Sequence, residues 1–328
     1  MTAPVVCFGE LLLRLDAPRQ ERLLQAATLV PTFTGGEANV AVALSQWGQP
    51  AAVASKVPAH ELGQACINQL RRYGVDTQHV HRGGDRLGIL FVETGASQRG
   101  SKVIYDRLHT SFRTLDAAEF DWPAILSNAA WFHFSGTAPA LGENVRQTLT
   151  AALTQAKSQG VPVSFDCSFR STLWSVEEAR RVLPPLLEFV DVYFGSESDL
   201  ATFFDITATG REGLEAFQRR YGLDVVAFTE RTVTDTGVNR YWGLLARDNE
   251  VAESRAYDIN VVDRIGAGDA FAAGVIRGLL RNDPLAEIVE FATAAAVLKH
   301  TIPGDFALVS LAEVKALAAG TAPGRVQR

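Results

Sequence analysis

Short apolar runs recur along this chain, and several are followed by a longer stretch with helical spacing. Val5-Val6-Cys7-Phe8-Gly9 and residues 52–57, 130–136, 161–166, 190–195 and 225–229 are of strand length and largely apolar. Residues 38–47, 61–73, 149–160 and 291–299 are longer, and Gly48 and Gly74 stop the first two. Strands alternating with helices predict a parallel sheet covered on both faces. Leucines at 11, 12, 13 and 15, with charges at 14 and 16, continue the first run to Asp16, and Pro18 ends it. The pattern changes after Leu87. Residues 88–94 and 102–107 are strand-like, and the turn-rich run 95–100 joins them as a hairpin.

Composition narrows the class. The 328 residues are 47% apolar, enough for one large α/β domain across 1–328. A net charge of −6 points to neither nucleic acid nor a membrane surface as partner. Cys7, Cys66 and Cys167 show neither a disulfide framework nor a zinc spacing, so a cytoplasmic location is expected. No run approaches the ~20 apolar residues of a membrane helix, and no signal peptide is evident. The polar end, 321–328, is expected to fray.

The chemistry gathers where apolar runs end. Residues 259–262 read as a short strand, which turns through Gly266-Ala267-Gly268 into a helix with Phe271, Val275 and Leu279 on one face. A glycine turn opening a helix exposes unpaired N–H groups that suit a phosphate. Asp269 stands in that first turn, where it can cap the helix or serve as a base beside a phosphoryl group. The dinucleotide fingerprint is not met, because Phe271 occupies the third glycine place. A second glycine pair, Gly35-Gly36, opens the helix that carries Glu37 and Asn39. Asp166 and Arg170 follow another strand, and Arg170 can either grip a carboxylate ligand or pair with Asp166. Tyr105 and Arg107 end the hairpin, where an ordinary exposed strand is the plain alternative. His133, in an apolar run, reads as a core histidine.

Residues 263–269 match Asp-x-x-Gly-Ala-Gly-Asp, and residues 35–41 match Gly-Gly-x-x-Asn-x-Ala. Together they resemble the two signatures of the ribokinase-like (PfkB) sugar kinases, in the right order, and the likeness runs from Gly9 to about Leu311. That resemblance implies a three-layer α/β/α fold with a mostly parallel central sheet. A small β-sheet lid would come from residues of about 10–17 and 86–107. It makes Asp269 the catalytic base and the backbone of Gly266, Ala267 and Gly268 the anion hole. Gly35, Gly36, Asn39 and Asp305 would meet the sugar. Ser196, Thr229, Gly266, Gly268 and Lys299 would border ATP, and Asp199 would support Mg²⁺ through water.

Tyr105-Asp106-Arg107 and the run Asp166…Arg170…Leu173-Trp174 resemble the branch acting on 2-keto-3-deoxygluconate, in which Tyr105, Arg107 and Arg170 would hold the sugar acid. The implied reaction transfers phosphate from ATP to the 6-hydroxyl. Fructokinase or ribokinase activity is the alternative, and an inactive sugar- or nucleotide-binding regulator is a third reading. A monovalent cation is left open. The resemblance also implies a homo-oligomer, either a dimer through the lid, where Ile89-Leu90-Phe91 is apolar, or something larger. Two departures stand out. Ser196 and Asp199 replace the usual Asn-x-x-Glu, and Arg231 replaces the first glycine of a phosphate-covering loop that would span 229–237.

Overall fold

The computed structural model describes residues 2–233, 239–248 and 250–321. Of the segments singled out above, 234–237 and 322–328 lie outside these residues. The chain runs β1 (Val5–Phe8), β2 (Leu12–Asp16), β3 (Val30–Thr34), α1 (Gly36–Gln46), β4 (Ala51–Val57), α2 (Glu61–Arg72), β5 (Val80–Arg82), β6 (Gly88–Glu93) and β7 (Lys102–Asp106). It continues through α3 (Trp122–Leu126), β8 (Trp131–Ser135), α4 (Glu143–Gln159), β9 (Val163–Asp166), α5 (Val176–Leu186), β10 (Val192–Gly195), α6 (Glu197–Phe203) and α7 (Gly210–Tyr221). It closes with β11 (Val225–Val233), β12 (Asn239–Arg247), β13 (Glu250–Glu253), β14 (Tyr257–Ile259), α8 (Ala267–Leu280), α9 (Leu285–Lys299) and α10 (Leu311–Ala318).

The large sheet has the order β13-β12-β11-β10-β9-β8-β1-β4-β5, with β14 paired to β12. From β11 to β5 every pairing is parallel, and β12 turns the far edge antiparallel. Alternate side chains of each strand enter opposite faces. Val5, Cys7, Val192, Phe194, Val225 and Ala227 therefore pack with α1, α2, α8, α9 and α10. Val6, Phe8, Tyr193, Val226 and Phe228 pack with α3 to α7. That is the three-layer arrangement the sequence implied. His133 is a core histidine, 1% exposed, with Nδ1 2.8 Å from Ser164 Oγ. Burial pushes it down to about 3. No helix among the described residues is long and apolar enough to cross a membrane.

The small sheet is separate and has the order β3-β2-β6-β7. Three findings depart from the sequence reading. The first apolar run does not continue to Asp16, because the chain leaves the large sheet at Gly9 and enters the small one at Leu12. A Cβ at Gly9 would lie 1.9 Å from the Glu37 carboxylate, so a side chain there would have to displace that buried group. Secondly, β3 adds a third segment to the small sheet. Its Pro31 hides it from a strand search, and an edge strand tolerates proline. Thirdly, β14 stops at Ile259, and Val262 leaves the sheet to bond His300 O at 2.8 Å. The sheet's register sets Arg14 beside Leu90, and Leu90 beside Tyr105, on one face. Leu15, Phe91 and Ile104 form a row on the other.

Candidate active site

The turn before α8 is shaped by backbone contacts. Gly266 has φ 89°, a conformation that disfavours any Cβ, and a Cβ there would sit 1.9 Å from Asp305 O. The N–H groups of Gly266, Gly268 and Asp269 make no backbone hydrogen bond among the described residues. Ala267 differs from its sequence assignment. Its N–H donates to Arg264 O at 3.3 Å, and its side chain joins the core. Gly266 and Gly268 border a cavity of about 710 Å³, a size that fits small-molecule sites.

Asp269 stands on the same cavity wall, and its Oδ2 accepts from Asn39 Nδ2 at 2.6 Å. Burial, with Asp166 and then Asp305 and Glu37 nearby, pushes its carboxyl up to about 8 against the Asn39 bond. A chain of side chains leads away from it. Thr34 Oγ1 donates to Asp305 and lies 3.3 Å from Asn39 Oδ1. Asp305 pairs with Arg14, whose Nη2 lies 2.6 Å from Asp263 Oδ2 and 2.6 Å from Asp16 Oδ1. Burial alone would lower the Arg14 guanidinium, but these three carboxylates hold it above its ordinary range. The sequence reading missed Arg14. The available signal was a lone cation inside a leucine-rich strand, on the same side as Leu12.

Gly35, Gly36, Tyr105, Arg107 and Arg170 also border the cavity. Arg107 is buried and pairs with Glu10 at 2.6 Å, a partner the sequence reading did not name. Its guanidinium carbon sits 5.9 Å from the Tyr105 ring centre. Arg170 is exposed, and Nη1 donates to Phe169 O at 3.0 Å. It does not pair with Asp166, whose Oδ1 accepts from the Ser168 N–H at 2.9 Å.

Ser196, Asp199, Thr229 and Arg264 border the same cavity. Asp199 Oδ2 accepts from the Ser196 N–H at 2.7 Å, and burial raises its carboxyl. Lys299 does not reach the cavity. It is fully buried, and Nζ donates to Ile302 O at 3.3 Å and Asp263 O at 3.4 Å. No cluster of three or more His, Cys, Asp or Glu side chains suited to a metal occurs among the described residues.

Residues 2–307 match the profile of the pfkB family carbohydrate kinases. The chain is 33% identical over 320 residues to a 2-dehydro-3-deoxygalactonokinase of Haloferax volcanii, covering 98% of each. It is 28% identical over 314 residues to the 2-dehydro-3-deoxygluconokinase of Bacillus subtilis, covering 93% of this chain and 92% of that protein. The crystal structure of 2-dehydro-3-deoxygluconokinase from Thermotoga maritima superposes with a TM-score of 0.95 at 41% identity, over 98% of this chain and 99% of that one.

Proposed function

Since the chain belongs to the pfkB family of carbohydrate kinases, we propose that it transfers the γ-phosphoryl group of ATP to the 6-hydroxyl of 2-keto-3-deoxy-D-gluconate. One observation carries the reading. A single cavity holds Asp269 beside N–H donors that make no backbone hydrogen bond among the described residues, and Arg170, which forms no ion pair among those residues, also borders it. The first arrangement serves phosphoryl transfer, and the second serves an acid. The relatives named for 3-deoxy sugar acids support it.

In this reading Asp269 takes the proton of the 6-hydroxyl as its oxygen bonds to phosphorus and the bond to the leaving ADP breaks. Gly266 and Gly268 donate N–H groups to the charge on the transferring group. Such preorganised donors are worth about 10²–10³ in rate. Asn39 orients Asp269, and Arg170 and Tyr105 hold the sugar acid. The side chains present fit Mg²⁺ carried by phosphates and water, with Asp199 accepting from that water, rather than a metal held by protein ligands alone. When bound, Mg²⁺–ATP supplies the phosphoryl group and neutralises its charge. Lys299 supports the turn from behind instead of touching ATP.

The C4 epimer 2-keto-3-deoxygalactonate is a second reading, favoured by the Haloferax volcanii relative. A coupled ADP-release assay across both acids, gluconate, fructose and ribose tests both. Turnover greatest with 2-keto-3-deoxygluconate supports the proposal, and a neutral sugar preferred over both acids overturns it. We also infer a cytoplasmic enzyme, from three unpaired cysteines. A dimer through the small sheet is inferred from the row Leu15, Phe91 and Ile104, the last 55% exposed.

A further inference from the structure

Two arginines stand near one another, Arg264 on the cavity lining and Arg231 on β11, the strand whose Thr229 also borders the cavity. Arg264 borders the cavity two residues before Gly266, and its Nη2 donates to the neutral amide oxygen of Asn239 at 2.8 Å. Strand pairing locates the second. In β11 and β12, Thr229 faces Gly243, Arg231 faces Tyr241 and Val233 faces Asn239. Directly paired residues share a sheet face, so Thr229, Arg231, Tyr241 and Asn239 lie on one side. Thr229 borders the cavity, and Asn239 holds Arg264. Arg231 therefore stands between the cavity wall and the second guanidinium. Neither arginine makes an ion pair among the described residues. Their proximity has an electrostatic trace. Burial and then Arg231 hold Arg264 below its ordinary range.

Two like charges beside unpaired helix N–H groups favour an anion with several charges. We propose that Arg231 and Arg264 bind the polyphosphate tail of the nucleotide as a pair of side-chain cations. The inference rests on the reading of this cavity as a nucleotide-dependent kinase site. It also gives the departure at Arg231 a purpose. Glycine in a phosphate loop offers backbone N–H groups at close approach, whereas arginine offers a charged fork from a distance. Nucleotide affinity in this protein then depends on ionic strength and on the number of phosphates.

The test uses Arg231→Gln, Arg264→Gln and the double variant in the full-length protein. Both side chains are exposed, so the unliganded variants should melt as the wild type does. Calorimetry measures binding of the non-hydrolysable ATP analogue AMP-PNP with Mg²⁺, and of adenosine. Each single variant is expected to weaken AMP-PNP about tenfold and the double variant more, with adenosine and the sugar acid within twofold of wild type. Raising the salt should weaken AMP-PNP more steeply in wild type than in the double variant. AMP-PNP affinity within twofold in the double variant overturns the inference, as does an equal loss for adenosine or a loss confined to the sugar acid. Wild-type protein that fails to bind AMP-PNP overturns the kinase reading and this inference with it. Binding of AMP-PNP without phosphorylation of any sugar acid overturns only the substrate assignment.

Discussion

The side-chain nitrogen of Asn39 lies 2.6 Å from Oδ2 of Asp269, and each residue stands in the first turn of its own helix, α1 or α8. Two helix N-termini thus converge on one carboxylate, which favours its ionised form. Burial and the neighbouring acids oppose it and win, pushing the carboxyl up to about 8.

The first prediction concerns pH. A carboxyl raised from 3.8 to about 8 keeps its proton when folded across a range in which the unfolded chain has lost it. This contribution to stability is fully present below the lower value and is lost as pH rises through the upper one. The log of kcat/KM is expected to climb with pH and level off near 8, since the base must be ionised. Asp269→Asn should lose about 10²–10⁴ in turnover. It should also melt above wild type at pH 9 but not at pH 5. A wild-type profile already flat from pH 6, with the substrates unchanged, contradicts the assignment.

Arg14 should matter more than its distance from Asp269 suggests. Arg14→Met strands the carboxylates of Asp16, Asp263 and Asp305, and breaking such buried pairs costs about 3–5 kcal/mol. Thermal melting and turnover are both expected to fall, with Arg14→Lys restoring only part. If Arg14→Met melts like wild type, these ion pairs do not hold the turn.

The two glycines of the turn should separate structure from chemistry. Gly266→Ala forces a Cβ into a left-handed residue, about 1–2 kcal/mol, and against Asp305 O. It is expected to lower both melting temperature and turnover. A Cβ at Gly268 meets nothing within 4 Å, so Gly268→Ala should melt normally while losing turnover, because the methyl group occupies cavity space. Equal behaviour of the two variants would count against Gly268 as a donor.

Lys299 bears on the monovalent cation. Its ammonium already lies between the carbonyls of Asp263 and Ile302, and burial lowers its pKa despite Asp263 and Asp305. The chain thereby carries a cation in its own core at this turn. Turnover in potassium, sodium or tetramethylammonium chloride at equal ionic strength is expected to agree within about twofold, as the Lys299 ammonium already fills the place between these two carbonyls. A strict potassium requirement would refute this.

Arg107 and Arg170 should differ in kind. Arg107 has its carboxylate, Glu10, so Arg107→Ala strands a buried charge and should destabilise the fold by about 3–5 kcal/mol. Arg170 forms no ion pair among the described residues, so Arg170→Ala should leave melting unchanged and weaken the sugar acid by about 2 kcal/mol, roughly thirtyfold. Binding of ATP should not move. The acid-to-fructose ratio of kcat/KM in Arg170→Ala is the decisive measurement, and an unchanged ratio removes Arg170 from recognition.

The layered fold was legible because buried parallel strands announce themselves as short apolar runs. β1, β4, β8, β9, β10 and the start of β11 all did so. The glycine turns could be read because only certain backbone shapes demand glycine. What escaped is what depends on distant partners. Nothing local in Arg14 reveals three carboxylates drawn from residues 16, 263 and 305. Arg107 looked free to bind substrate because Glu10 lies 97 residues away. β3 escaped because edge position excuses its proline, and edge position is a property of the finished sheet.

Arg14 and Asp305 meet across 291 residues of sequence. During vectorial synthesis the cavity-lining residues from Glu10 to Arg170 emerge long before the turn at Gly266, and Asp305 follows later still. A nascent chain can therefore raise most of the sheet while Arg14 still lacks two of its three acids and the α8 donors do not yet exist. In the reading proposed above, the cavity that would take nucleotide is complete only once this last layer closes, because residues within 264–271 and Asp305 form part of its lining.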